Sequence, residues 1–223
     1  MQEITEIGNS VRNQLLEQDR AIHAWYQFVL GYPPHLVRYY LNKFNVEKGM
    51  SVLDPFCGMG TTNVECKKTG FHSVGIEANP IAHLASKVKT NWNIEPIHID
   101  HHLAEVIDLA LAGFEKFDLE EPTEFFLNQK PVRRFELPPP ELSPEQREIL
   151  PSGFISDRPL RKLLLLGQCI QTIERTDIRE LFLVALASVA IHDASNVAFG
   201  PEIYATKPKA DTMVLTPFML LVE

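Results

Sequence analysis

The apolar tripeptide Ser51-Val52-Leu53 runs directly into Asp54-Pro55-Phe56-Cys57-Gly58-Met59-Gly60-Thr61-Thr62, and Thr61 to Lys68 then follows a helical pattern. A strand that ends on an acid, turns through Gly-x-Gly and opens a helix belongs to a layered α/β fold, because the helix has to pack back on its strand. Lys67 and Lys68 suit the last turn of that helix, Gly70 stops it, and His72 to Ile76 returns as a neighbouring parallel strand. This second strand ends at Glu77. Asn79 is placed to cap another helix with Pro80 in its first turn, and Ile81, Leu84, Ala85 and Val88 form its expected buried face. Strand, helix, strand, helix amounts to half of a doubly wound sheet.

The loop and the acid together point to a ligand. Gly58 and Gly60 allow a close backbone approach, and the amides opening the following helix suit an electron-rich group. Glu77 falls near the offset at which dinucleotide folds place an acid on ribose hydroxyls, a geometry that suits any adenosine-bearing ligand. Asn63 stands where a third glycine of Gly-x-Gly-x-x-Gly would be, and no Gly-Lys-Thr or Gly-Lys-Ser follows, which disfavours pyrophosphate and triphosphate ligands. Cys57 reads as a small side chain behind the ligand rather than as a nucleophile.

Upstream, Ile7, Val11, Leu15, Ile22, Trp25 and Val29 recur at helical spacing, so a helix is expected from Ile7 to Leu30 with Trp25 and Phe28 as core anchors. Gly31 ends it, and Pro33-Pro34 starts a second helix with Leu36, Val37, Tyr40, Leu41 and Phe44 on one face, leading through Lys48-Gly49 into the strand. Downstream, Leu103 to Phe117 reads as helical, and a proline-rich span runs from Pro131 to Pro151. Leu160 to Ile173 and Ile178 to Ile191 form a helical hairpin. Asn196, Phe199, Gly200, Pro201, Glu202 and Tyr204 suggest an ordered polar-aromatic loop. Thr212 to Val222, with Pro217 inside it, suggests a strand at a domain edge or a chain cut before its next element. The expected organisation is therefore helices over 1–48, a β-α-β-α core over 49–95, and a helical region over 96–223 with a linker at 131–151. The fold class is α/β, a partial Rossmann-like sheet with a largely helical C-terminal region.

At 223 residues and 45% hydrophobic content, the chain is long enough for a substantial core. Its three cysteines lie far apart and its N terminus lacks an apolar leader, which points to a reducing, cytoplasmic setting. Its longest apolar runs fall short of the roughly 20 residues that span a bilayer. A net charge of -8 does not draw a polyanion, so binding nucleic acid needs a local basic face or partner residues.

The segment from about Tyr32 to Lys89 resembles the S-adenosylmethionine-dependent DNA amino-methyltransferases, which methylate cytosine N4 or adenine N6. Asp54 to Thr62 carries the resemblance most specifically, and Glu77-Ala78-Asn79-Pro80 supports it. The resemblance implies S-adenosylmethionine as cofactor, with Asp54, Pro55, Phe56, Cys57, Gly58, Gly60 and Thr61 in the wrapping loop. It implies that Glu77 binds ribose, that Ala78, Asn79, Pro80 and Ile81 border adenine, and that Thr61 or Thr62 meets the methionine carboxylate. Pro33, Pro34, His35 and Leu36 match the family's pre-loop helix and would help close the pocket. It also implies DNA as the substrate of the complete enzyme, and a role in restriction-modification. The family's catalytic Pro-Pro-aromatic element is not matched: Tyr32-Pro33-Pro34-His35 has no aromatic after its prolines, and Thr216-Pro217-Phe218 has one proline. The catalytic residues are thus unassigned, and the chain reads as the cofactor half with its target-binding part in a missing C-terminal half or a partner chain.

Three rivals stand beside this reading. They are a noncatalytic S-adenosylmethionine-binding subunit, a methyltransferase for RNA, protein or a small amine, and a nicotinamide oxidoreductase, the last disfavoured by Asn63 and by the lack of a Tyr-x-x-x-Lys pair. His98, Asp100, His101 and His102 lack a matching metal-ligand pattern, so they are expected as solvated residues and no metal is assigned. Arg133-Arg134 with Phe135, and Lys207 with Lys209, read equally as phosphate contacts or solvated surface.

Overall fold

The computed structural model of the protein describes residues 15–26, 31–121 and 131–222. Two compact units divide at Asn93/Ile94, and each is described by itself.

In the first unit, a 3-10 turn at Glu17–Asp19 runs into a one-turn helix, Arg20–His23. The long N-terminal helix expected from periodicity is therefore broken in its described part; Met1 to Gln14 and Gln27 to Leu30, with Phe28, lie outside the described residues. Trp25 is 37% exposed and Tyr26 is the buried aromatic, which corrects Trp25 as a core anchor. Helix α1 (Pro34–Lys43) starts at its proline, where a missing N–H costs nothing. Only Val37 and Leu41 of its expected stripe are buried, against Cys66 with Val46, Val52 and Phe71 packed alongside; Tyr40 and Phe44 are exposed.

The chain turns at Gly49 into β1 (Ser51–Asp54), then helix α2 (Thr61–Thr69), β2 (His72–Gly75) and helix α3 (Pro80–Lys89). The two strands pair in parallel with Asp54 opposite Gly75, and the Ile76 amide extends the ladder to the Asp54 carbonyl. Gly70 ends α2 in the left-handed conformation and the Asn79 side chain caps α3 through the Ile81 and Ala82 amides, as the sequence requires. Ala85 and Val88 are buried, but Ile81 in the first turn is 45% exposed. Val52 and Ser73 face the helices. Leu53, its partner Val74, and Ile76 point the other way and are 63%, 56% and 57% exposed. One sheet face is thus covered and the other is bare, an arrangement that parallel strands normally avoid.

A buried charge cluster ties the N-terminal turn to this core. Glu65, fully buried on α2, meets His23 Nε2 at 2.9 Å, Arg38 at 2.6 Å and Lys68 at 2.9 Å, and Arg38 also pairs with Asp19. Burial by itself would raise the Glu65 carboxyl, but hydrogen bonds from His23, Lys68 and Arg38 bring it down to about 2. Lys89, also buried, donates to the carbonyls of His23 and Tyr26, and burial lowers its ammonium to about 8.

The second unit is helical. Helix α4 (Pro96–Lys116), α6 (Asp157–Gln171), α7 (Thr176–Val189) and α8 (Leu215–Val222) enclose one core centred on Phe114, Leu165, Ile170, Phe182 and Phe218. The proline-rich stretch is more than a spacer: Phe135 is buried in that core, and a short helix α5 (Pro144–Ile149) opens with a Ser143/Gln146 capping box. After α7, a π-helical turn leads to the hairpin β3 (Val197–Phe199) and β4 (Ile203–Ala205), where a loop was expected. Asn196 fixes its base, with its side chain on the Gly153 carbonyl, Ser156 hydroxyl and Lys209 amide. The last segment is a helix, not a strand. Pro217 sits in its first turn, where proline breaks no helical hydrogen bond, and Phe218 and Leu215 fill the core. Among the described residues, no helix is long and apolar enough to cross a membrane.

Candidate functional site

Asp54 and Glu77 stand at the C-terminal ends of two adjacent parallel strands, and the glycine loop joins them. Each acid holds a loop amide: Phe56 N–H donates to Asp54 Oδ1 at 3.1 Å, and Gly58 N–H donates to Glu77 Oε2 at 2.8 Å. The other oxygen of Glu77 accepts the Asn79 amide at 2.7 Å. Amides of Asn79 and Gly58 hold the Glu77 carboxyl below its ordinary value, so it is an anionic acceptor at neutral pH. Lone pairs beyond those used by the two amides remain for further donors.

The loop's shape follows from its glycines. Gly58 and Gly60 take positive φ values of 51° and 81°. A Cβ on Gly60 would lie 2.3 Å from Ser86 Oγ on α3, so this position is closed to any side chain. Gly60 also precedes α2 without supplying a side-chain cap, leaving the first amides of that helix to the loop cavity or to a ligand. Cys57 is buried, and burial pushes its thiol up, the opposite of what a nucleophile needs.

Tyr32, which the motif reading did not single out, closes the site from the side. Its hydroxyl donates to Asp54 Oδ2 at 2.7 Å and, with its proton so used, accepts from Thr62 Oγ1 at 2.6 Å. Burial raises the phenol to about 12, so it stays protonated. Burial would raise the Asp54 carboxyl as well, but Thr62, Tyr32 and the Phe56 amide outweigh it and lower it. The only signal for Tyr32 in the sequence is its place beside Pro33-Pro34. A groove of about 370 Å³ runs from these three residues along Leu36, Tyr40, Phe44 and Leu53.

Of the other expected site residues, Phe56 is 86% exposed at the loop tip, and Ala78, Asn79, Pro80 and Ile81 form the exposed start of α3 next to Glu77. Pro55 is exposed, Thr61 is half-buried, and Pro34 is buried in the first turn of α1. The structure therefore brings the loop, Glu77 and the start of α3 together, while Pro34 is buried in α1. Arg133 belongs to the second unit, where it is paired with Glu105.

Residues 8–87 match a protein family described as DNA methylase. Over this segment, the chain is similar to the DNA amino-methyltransferases. Over 102 residues it is 31% identical to the type II methyltransferase M.BsoBI of Geobacillus stearothermophilus, covering 44% of this chain and 20% of that protein. Over 74 residues it is 38% identical to the type II methyltransferase M.MjaII of Methanocaldococcus jannaschii, covering 33% and 14%. The chain thus matches a fifth or less of the length of these curated relatives. No solved structure matches it significantly. Similarity to DNA methyltransferases over this segment implies a methyl donor.

Proposed function

We propose that the first unit binds S-adenosylmethionine and serves as the cofactor side of a site-specific DNA amino-methyltransferase acting on cytosine N4 or adenine N6. The observation that carries this reading is the direct bond between Glu77 and Gly58, which gathers a ribose acceptor and a glycine loop at one sheet edge. The chemistry of the donor set fits the ligand. Glu77 accepts the ribose hydroxyls, Phe56 and the Ala78 to Ile81 turn supply apolar borders for adenine, and the uncapped start of α2 takes the methionine carboxylate near Thr61 and Thr62. The cofactor supplies an electrophilic methyl group. The residues here bind and orient it, and Asp54, held by Tyr32, keeps the loop in shape.

Target binding and catalysis need more chain than this core offers. The bare face bearing Leu53, Val74 and Ile76, and the apolar groove beside β1, fit further strands supplied by another part of the protein or by a partner chain. The buried, unactivated Cys57 speaks against a nucleophilic cysteine in the loop. The reading implies a soluble protein of a reducing, cytoplasmic setting with DNA as substrate.

Titration calorimetry with S-adenosylmethionine on the protein and on Glu77→Ala tests the pocket: equal heats remove the ribose contact. Mixing with a chain that carries a Pro-Pro-aromatic element, followed by base analysis of the DNA, tests completion. Methylation restored on mixing supports it, whereas full activity of this chain alone overturns the need for a second part.

A further inference from the structure

We propose that His101, His102 and Glu105 on α4 form a site for one divalent transition-metal cation of the zinc class. The histidine run by itself lacks a metal-ligand pattern, and the helix supplies the missing member, Glu105. His98, His101, His102 and Glu105 recur at i, i+3, i+4 and i+7, so all four project from one face of α4, flanking the face that buries Leu103, Val106 and Ala110. One ligand atom each from His101, His102 and Glu105 lies within 4.8 Å of the other two. A single carboxylate oxygen, Glu105 Oε2, faces both imidazoles, at 3.1 Å from His102 Nδ1 and 3.8 Å from His101 Nε2.

The surroundings orient that carboxylate. Arg133 takes the other oxygen, Oε1, at 2.5 Å. Arg133 is itself fixed, because the Val132 and Arg133 amides both donate to the Asp108 carboxylate, one turn further along α4. Such an outer partner on a ligating carboxylate is the usual way a metal site sets its ligand geometry. The Asp108 carboxylate, which accepts the Arg133 amide hydrogen, lies beside the backbone that carries the guanidinium.

Two imidazoles and one carboxylate, with positions left for water, are the donor set of borderline cations such as Zn²⁺, and they disfavour Mg²⁺ and Ca²⁺, which prefer oxygen throughout. A cation needs its ligands at about 2.0–2.1 Å, and His101, with 67% of its side chain exposed, has room to turn toward it. Because Arg133 holds Glu105, a bound cation would link α4 to the 131–135 segment.

The test is competition for Zn²⁺ between the whole protein and a chromophoric chelator, with Co²⁺ absorption as the spectroscopic readout. The protein should withdraw one equivalent that His101→Ala and Glu105→Gln each weaken more than about tenfold, while His83→Ala, an exposed histidine of the other unit, leaves it unchanged. Circular dichroism confirms that each variant is folded. Equal withdrawal by all variants places the metal elsewhere and overturns the proposal, as does failure of the unaltered protein to compete at all.

Discussion

The Glu77 carboxylate accepts the Gly58 amide hydrogen at 2.8 Å, so the acid that ends the second strand is bonded to the loop that follows the first. Replacing Glu77 therefore removes both a ligand acceptor and a loop anchor. Glu77→Gln is expected to weaken S-adenosylmethionine binding about tenfold or more, because a charged acceptor becomes a neutral one. Calorimetry on the paired proteins measures it, and an unchanged affinity would remove the ribose role.

Tyr32 holds Asp54 and Thr62 with one hydroxyl. Tyr32→Phe keeps the ring and deletes both bonds, so a loss of about 1 kcal/mol in urea-unfolding stability is expected. Ligand affinity should fall with it, and hydrogen exchange at the 56–62 amides should speed up. Unaltered exchange there would show that the clasp does not hold the loop.

Glu65 gives the first unit an acid-sensitive lock. Its folded value, about 2, lies below the ordinary 4.5, so its stabilisation is complete above the unfolded value and is lost as pH falls from about 4.5 toward 2. Glu65→Ala takes the carboxylate from His23, leaves Arg38 and Lys68 with Asp19 alone, and should cost about 3–5 kcal/mol near neutrality. The gap between variant and parent, read from urea midpoints across pH 7 to 2, should close at the acid end. A gap independent of pH would place the stabilisation in packing instead.

Gly60→Ala meets Ser86 and a positive φ together. A loss of about 1–3 kcal/mol is expected. Adding Ser86→Gly removes the side-chain collision and should recover part of it, the remainder being backbone strain. Thermal melts of the three variants separate the two contributions, and no recovery in the double variant would assign the whole effect to φ.

Leu53 and Val74 face each other on the bare side of the sheet. Exposed apolar strands next to a free edge are templates for association. Leu53→Lys with Val74→Thr should lower self-association of the chain in light scattering without loss of helical signal. The same pair of changes should weaken complementation by a chain carrying the remaining strands.

The order from Ser51 to Lys89 was legible because each boundary carries its own local signal: Gly70 for a left-handed stop, Asn79-Pro80 for a cap and start, and an acid at each strand end. The helical hairpin was legible from the same kind of periodicity. What the sequence hid was set by long-range partners. Trp25 and Tyr26 share a local pattern, and only packing decides which one is buried. The 212–222 stretch is apolar throughout, so periodicity does not separate strand from helix, and Pro217 favours helix only once its first-turn place is known. Glu65 reads as an ordinary surface acid until His23, Arg38 and Lys68 converge on it. Tyr32 carries no motif of its own, and the site gains it only because α1 packs against α2 and brings the residue before it to Asp54 and Thr62.

The tight approach of Gly60 to Ser86 leaves no slack between the turn after β1 and helix α3. The first residues of α3 flank Glu77, so one helix borders the turn at its middle and the acid at its start. A side chain added at Gly60 would therefore press on the same helix that carries the far border of the site.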